Sequence, residues 1–357
     1  MEDLRLGEIS RILVLNRNHI GDCLLTTPML RAVKRRFPRA HLTVAVPASN
    51  QDLLVTNPHV DEILIRPEVG SWAAKFGFAY QMRDRGYDLI VSLQEKSLFY
   101  SWATSFSAFG NHGRPMTVAL DHPRTRRFYH YNVRPLREDQ HEVYKYLDVA
   151  THLGCPRERN PVLELEPMAS ARDRVERFLR DRGLDTDARF IGINPGGTKP
   201  DKRWPVERFA EVGDRLHDAL GLPVMIFGGP SDVPLASAIV NNMEHSPVVV
   251  AGSASLGDTA ALMERCQFLV TGDTGPMHMA VALAVPVVAM FGPTNPGKFG
   301  PFTTLSTVLR HPKPCPRCTQ RCIHTITADE CVEAALKLYT APPGVRRVRS
   351  DQRSGER

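Results

Sequence analysis

Four short stretches hold the residues whose types and spacing could do chemistry, and each follows an apolar run. The first is Asn16-Arg17-Asn18-His19-Ile20-Gly21-Asp22. Gly21 permits a tight turn, which places Asp22 at the start of a helix. A carboxylate there either caps the helix by accepting from its free N–H groups or faces a ligand as a general base. The second stretch is Asn194-Pro195-Gly196-Gly197-Thr198, followed by Lys202-Arg203-Trp204-Pro205. Its small residues let backbone N–H groups approach a ligand, Thr198 adds a hydroxyl and Lys202 a point charge. That set suits a pyrophosphate. The third is Gly272-Asp273-Thr274-Gly275-Pro276-Met277-His278. Thr274 and Gly275 would open a helix whose positive dipole end attracts phosphate. Asp273 and His278 lie within reach, although a helix cap and a half-buried histidine are their plain structural roles. The fourth is Asp232, after Phe227-Gly228-Gly229-Pro230-Ser231. It is placed to accept from two ribose hydroxyls or to cap a helix.

Cysteines form a separate constellation: Cys315 and Cys318 in C-x-x-C spacing, then Cys322 and Cys331, with His324 nearby. Thiolates so spaced can hold a structural metal. The same residues can equally be free thiols packed in a tight turn. Seven cysteines with four in one segment do not suggest a disulfide framework.

The elements that must position these residues alternate. Arg11 to Leu15, His41 to Val46, Asp61 to Ile65 and Asp88 to Leu93 read as buried parallel strands. A helix fits Cys23 to Arg36 and another Gln140 to Leu153. The stretch from Gly110 to Val133 is irregular, and Pro161 to Pro167 is expected to be the last strand of the first half. A second series follows, with strands at 190–194, 223–227, 247–250, 267–271 and 285–290. Its helices fall at 169–182, 205–220, 233–243, 256–265 and 276–284. Such alternation implies α/β architecture with doubly wound parallel sheets. Two Rossmann-like halves would face a cleft, with ligands at the carboxyl ends of the strands. The expected domains are residues 1–167 and 168–340, followed by a basic disordered tail at 341–357.

The net charge of +6 favours an anionic partner without choosing among a phosphorylated small molecule, a membrane surface and nucleic acid. The excess is partly local: Lys34, Arg35, Arg36 and Arg39; Arg124, Arg126 and Arg127; and five arginines after Ala341. These are solvated faces or a surface resting on anionic lipid. No recognisable motif supports nucleic-acid binding. No apolar run approaches the ~20 residues of a spanning helix, and MEDLRLGEIS is not a secretion signal. A cytoplasmic location is expected. The first turn lacks G-x-G-x-x-G, which disfavours a dinucleotide site there.

Three segments together resemble glycosyltransferase family 9, the ADP-heptose:lipopolysaccharide heptosyltransferases. They are RILVLNRNHIGDCLLTTPMLRAVKRRFP, INPGGTKPDKRWPVERF and GDTGPMHMAVALAVPVVAMFGPTNP. CPRCTQRC with the later Cys331 resembles a cysteine-bearing segment of many members. The resemblance spans roughly residues 11 to 335. It implies a GT-B fold, with acceptor held by the first domain and nucleotide-sugar donor by the second. It implies Asp22 as the base, and Thr198, Lys202, Asp273, Thr274, Gly275 and His278 around the donor, with Asp232 near the ribose. Where members often carry a longer Gln-Gly–Lys-Ser stretch, this chain reads Leu93-Gln94-Glu95-Lys96-Ser97, which offers Lys96 to the acceptor.

The expected function is therefore inverting transfer of heptose from ADP-heptose to an inner-core lipopolysaccharide sugar. The protein would act as a monomer peripheral to the inner membrane, with no nucleic-acid partner. No Asp-x-Asp motif stands in a cleft loop, so no cofactor or divalent metal is required; a structural metal at the cysteines stays open. The alternatives are another donor or acceptor, such as O-antigen, capsule or protein, and a non-catalytic binding protein built around the cysteine cluster.

Overall fold

The computed structural model describes residues 9–67, 71–94, 96–110, 113–197, 202–311 and 322–340. The chain divides between Glu164 and Leu165 into two compact units.

Unit 1 holds strands β1 (Arg11–Leu15), β2 (His41–Val46), β3 (Glu62–Ile65), β4 (Leu89–Ser92), β5 (Met116–Leu120) and β6 (Tyr131–Val133). They lie in the order β3-β2-β1-β4-β5-β6, all parallel. Helices α1 (Ile20–Leu25), α2 (Thr27–Arg36), α3 (Trp72–Asp84), α4 (Leu98–Phe106) and α5 (Glu142–His152) complete it. Ile12 to Leu15 and Leu89 to Ser92 are buried throughout. Strands covered on both faces need apolar side chains in both directions, which is why these runs do not alternate with polar residues.

Unit 2 repeats the plan with β7 (Phe190–Asn194), β8 (Val224–Ile226), β9 (Val248–Val249), β10 (Cys266–Gly272), β11 (Val287–Phe291) and β12 (Ser306–Arg310). Its order is β12-β11-β10-β7-β8-β9, again parallel. Numbered within the unit, that is 3-2-1-4-5-6 read from the other edge, the same winding as unit 1. Helices α6 (Ala169–Asp181), α7 (Val206–Leu220), α8 (Val233–Asn242), α9 (Leu256–Met263), α10 (Gly275–Ala282), α11 (Pro296–Phe299) and α12 (Ala328–Thr340) surround it. In each sheet the first and fourth strands are neighbours and their connections leave in opposite directions. This switch point, β1/β4 in unit 1 and β7/β10 in unit 2, is where doubly wound sheets bind ligands.

Four expectations need correction. Pro161 to Pro167 is not a strand. Side chains of α2 take up its backbone groups instead: Arg31 donates to the Val162 carbonyl (3.3 Å), and the Glu164 N–H donates to Thr27 Oγ1 (3.0 Å). The last strands of the sheet are β5 and β6, inside the stretch expected to be irregular. β6 is a three-residue edge strand with Tyr131 exposed, too short and wet to show periodicity. The helix expected from Cys23 to Arg36 is two helices. Pro28 has no N–H to give the Leu24 carbonyl, and the Thr27 hydroxyl donates there at 2.8 Å. Strand β12 was missed for the same reason as β6, being a partly exposed edge.

Candidate functional site

At the β1/β4 switch point the loop after Leu15 is held from three directions. Asn16 is fully buried, and its amide donates to Thr26 Oγ1 at 2.9 Å. Gln94, just past β4, donates to the Asn16 carbonyl and to Asn18 Oδ1, the latter at 2.9 Å. Asn50 donates to the Asn18 carbonyl at 2.8 Å. Arg17 reaches across to the Leu93 carbonyl (3.3 Å).

Asp22 is the third residue of α1, whose N-cap is His19. Among the described residues no helix N–H donates to it. Its carboxylate lies 3.5 Å from Arg17 Nε and its side chain keeps 16% exposure. The capping role is therefore not the one it plays, and an oxygen remains available to a ligand. Lys96 stands exposed in the turn that follows Gln94. Next to Asp22, burial pushes the Cys23 thiol up to about 12, although the Arg66 charge pulls against it.

Arg66 was not picked out from the sequence. It follows β3 at the same carboxyl edge and is 2% exposed. Its guanidinium donates to the Asn16 carbonyl (3.3 Å), to Asn18 Oδ1 and to Tyr100 Oη (3.0 Å), and lies over the Tyr100 ring. Among the described residues no carboxylate pairs with it, and its Nε has no partner. A buried cation held by neutral acceptors alone is costly to desolvate. The one available signal was positional: an arginine directly after a strand end, beside Pro67.

At the β7/β10 switch point three loops converge. Asn194 ends β7, buried, and its amide donates to Thr271 Oγ1 (3.2 Å) and Thr274 Oγ1 (3.3 Å). The two threonine hydroxyls are 3.2 Å apart. Thr274 is the N-cap of α10 in extended conformation, yet its side chain does not cap the helix. Gly275 begins the helix and Pro276 brings no N–H. The first turn thus presents uncapped donors and the positive end of the dipole. His278 sits in that turn and is buried. Lys202 Nζ lies 2.6 Å from Asp273 Oδ2, both partly shielded.

Asp232 does not cap α8. It closes a 3-10 turn over Pro230–Asp232, and its Oδ2 accepts from the Gly229 N–H at 3.0 Å. The same oxygen presses on the β7 loop: a Cβ at Gly196 would meet it at 2.9 Å. Only glycine fits there without movement. Trp204 anchors the far end of the loop, its indole donating to the Ile326 carbonyl at 3.0 Å.

Thr198, Cys315, Cys318 and the tail at 341–357 lie outside the described residues. Cys322 and Cys331 are buried. Burial pushes the Cys331 thiol up to about 12. Among the described residues no group of three His, Cys, Asp or Glu side chains could hold a metal ion. No helix among them is long and apolar enough to cross a membrane.

Chemically, one switch point offers a partly exposed carboxylate that can accept a proton, oriented by a guanidinium. The other offers a lysine, hydroxyls, glycine backbone and a helix start, suited to phosphate.

The model of glycosyltransferase family 9 (heptosyltransferase) matches residues 76–325. Lipopolysaccharide heptosyltransferase 2 of Salmonella typhimurium is 28% identical over 315 residues, covering 84% of this chain and 88% of the relative. The crystal structure of a family 9 glycosyl transferase from Veillonella parvula superposes with a TM-score of 0.84 at 30% identity, covering 94% of this chain and 98% of that one. ADP-heptose LPS heptosyltransferase II of E. coli superposes with a TM-score of 0.78 at 23% identity, covering 92% and 98%. Two parallel, identically wound sheets with these matches make a GT-B fold. The chain belongs to glycosyltransferase family 9, the heptosyltransferase family, and is a sugar-transferring enzyme.

Proposed function

We propose that the protein transfers heptose, with inversion, from ADP-heptose to an inner-core lipopolysaccharide sugar. The observation that carries this reading is the division of labour between two like switch points. Asp22 stands at one, and Lys202, Asp273, Thr274 and Gly275 gather at the other. The curated relative from Salmonella and the E. coli structure, both named as heptosyltransferases acting on lipopolysaccharide, supply the sugar and the acceptor class.

In this mechanism unit 1 takes the acceptor and unit 2 the donor. An Asp22 oxygen removes the proton from the acceptor hydroxyl as that oxygen attacks the anomeric carbon. The bond from that carbon to the pyrophosphate oxygen breaks, and ADP leaves. Lys202 and the start of α10 stabilise the negative charge that grows on the leaving group. Thr198 adds a hydroxyl, Asp232 accepts from the ribose and His278 lines the same loop. Lys96 meets the acceptor. The cationic charge comes from protein groups, so the scheme needs no divalent metal.

The test is ADP release from ADP-heptose with a lipid A–Kdo acceptor, run alongside Asp22→Asn. Release should depend on acceptor and fall ~10²–10⁴-fold in the variant, with donor affinity unchanged. Near-normal turnover in the variant would remove Asp22 as the base. No release from ADP-heptose, but release from another nucleotide sugar, would leave the fold reading intact and replace the donor.

A further inference from the structure

The outer faces of α3 and α4 are aromatic. Trp72, Phe76 and Tyr80 recur at a spacing of four along α3, which puts them on one side of the helix. Trp72 is 68% exposed, Phe76 45% and Tyr80 47%. The opposite side of α3 is already satisfied, since Phe78, Ala79 and Met82 are buried. On α4, Trp102 is 36% exposed while Tyr100 and Ala103 face inward.

These rings touch one another in a row. Centroids of Trp72 and Phe76 are 6.0 Å apart, Phe76 and Trp102 5.6 Å, Trp102 and Phe106 5.2 Å, and Phe106 and Tyr80 5.3 Å. A cation lies at each end. Lys75 Nζ is 5.0 Å from the Trp72 ring, and Arg83 Cζ is 4.6 Å from the Tyr80 ring. Arg83 also pairs with Asp84 at 2.7 Å. No Asp or Glu occurs from Trp72 to Arg83 or from Leu98 to Phe109.

A continuous exposed aromatic surface of this kind marks an interaction site. We infer that it seats the protein on the headgroup layer of an anionic lipid bilayer. Tryptophan and tyrosine favour that layer because one end of each ring is apolar and the other is wet. Lys75 stands where phosphate would meet it; Arg83 is shared with Asp84, which is the one carboxylate on α3 and α4. A second copy of the chain is the poorer occupant, because two like faces would bring these cations together. The inference deepens the proposed function, whose acceptor is a lipid-anchored sugar.

The experiment uses the full chain and vesicles of phosphatidylethanolamine with phosphatidylglycerol, against vesicles of phosphatidylcholine alone. Of the three tryptophans, Trp204 is buried in unit 2, so an emission change on binding reports Trp72 and Trp102. Anionic vesicles should pellet the protein and shift its emission to the blue; neutral vesicles should do so weakly. The double substitution Phe76→Ser with Trp102→Ser, and separately Lys75→Glu, should each weaken partitioning about tenfold or more. Both should keep the native circular-dichroism spectrum, the double substitution melting a few degrees lower for its lost ring contacts, and leave transfer to a delipidated, soluble acceptor unchanged. Failure of the parent protein to bind vesicles would overturn the inference, as would equal binding by both variants. Self-association that the same substitutions abolish, with no vesicle binding, would assign the face to a second copy instead. Vesicle binding without heptose transfer would sink the proposed function and leave the surface standing.

Discussion

Lys202 Nζ and Asp273 Oδ2 are 2.6 Å apart, joining the β7 and β10 loops of unit 2. The lysine that would meet a pyrophosphate is thus already oriented by a carboxylate from the neighbouring strand. Its charge is positioned rather than free.

That relationship has a measurable signature. Lys202→Ala should weaken donor binding about 10–100-fold, the scale of one charge-assisted hydrogen bond. Asp273→Ala should weaken it less, by releasing the lysine. The double variant should be no worse than Lys202→Ala alone, a coupling equal in size to the Asp273→Ala effect and on the order of 0.5–2 kcal/mol by double-mutant cycle. Calorimetric titration with ADP gives all four affinities, and strict additivity would show that the pair does not act together.

Arg66 should govern the loop that carries Asp22. Arg66→Met leaves the Asn16 carbonyl and Asn18 Oδ1 with one partner fewer, at a cost of about 1–3 kcal/mol. The melting temperature should fall by roughly 2–4 °C for each of those, and turnover should fall with donor affinity unaffected. Arg66→Lys should recover little, because a lysine cannot fork between the loop and Tyr100. Thermal melts and single-turnover rates check both, and a variant as stable as the parent would make the arginine dispensable.

Glu164 should make stability acid-sensitive. Burial pushes its carboxyl up, but hydrogen bonding from His59 and the Arg31 charge outweigh burial and bring it down to about 2. A carboxyl lowered on folding adds stability that is complete above its unfolded value near 4.5. That stability drains away as pH falls towards 2. Glu164→Gln should cost on the order of 2–3 kcal/mol at pH 7, and the gap from the parent should close between pH 4.5 and 2. Urea melts across that range decide it; a gap independent of pH would remove the ion pair from the account.

Four thiols should be silent in the folded protein. Burial pushes Cys23, Cys155 and Cys331 up to about 12, and Cys266 higher still. At pH 8 an aromatic disulfide reagent should leave all four unlabelled until denaturant is added, as peptide mass mapping would show. Rapid labelling of Cys331 in the native protein would contradict its place in the core.

The sequence made the winding of both sheets readable because the central strands are covered on both faces and so appear as unbroken apolar runs. It also marked the loops at the strand ends, where Gly21, Gly196 and Gly275 stand beside polar side chains. The edges were harder. Tyr131–Val133 and Ser306–Arg310 are short and half wet, so neither carries a period. Pro161 to Pro167 misled because its apolar residues are extended without being paired, their backbone taken by Arg31 and Thr27. Arg66 was invisible because its partners are a carbonyl, an amide and a phenol scattered over 85 residues of sequence, from Asn16 to Tyr100. The aromatic face left no mark in the sequence, because tryptophan, phenylalanine and tyrosine are also the residue types of a buried core.

The contact between Gly196 and Asp232 couples two positions that are far apart in the chain. A side chain at 196 must displace the Asp232 carboxylate, which a Cβ there would meet at 2.9 Å. Neither site can be varied alone and read as an independent change. The two positions form one compound letter, and libraries that randomise them together will reach sequences that single scans discard.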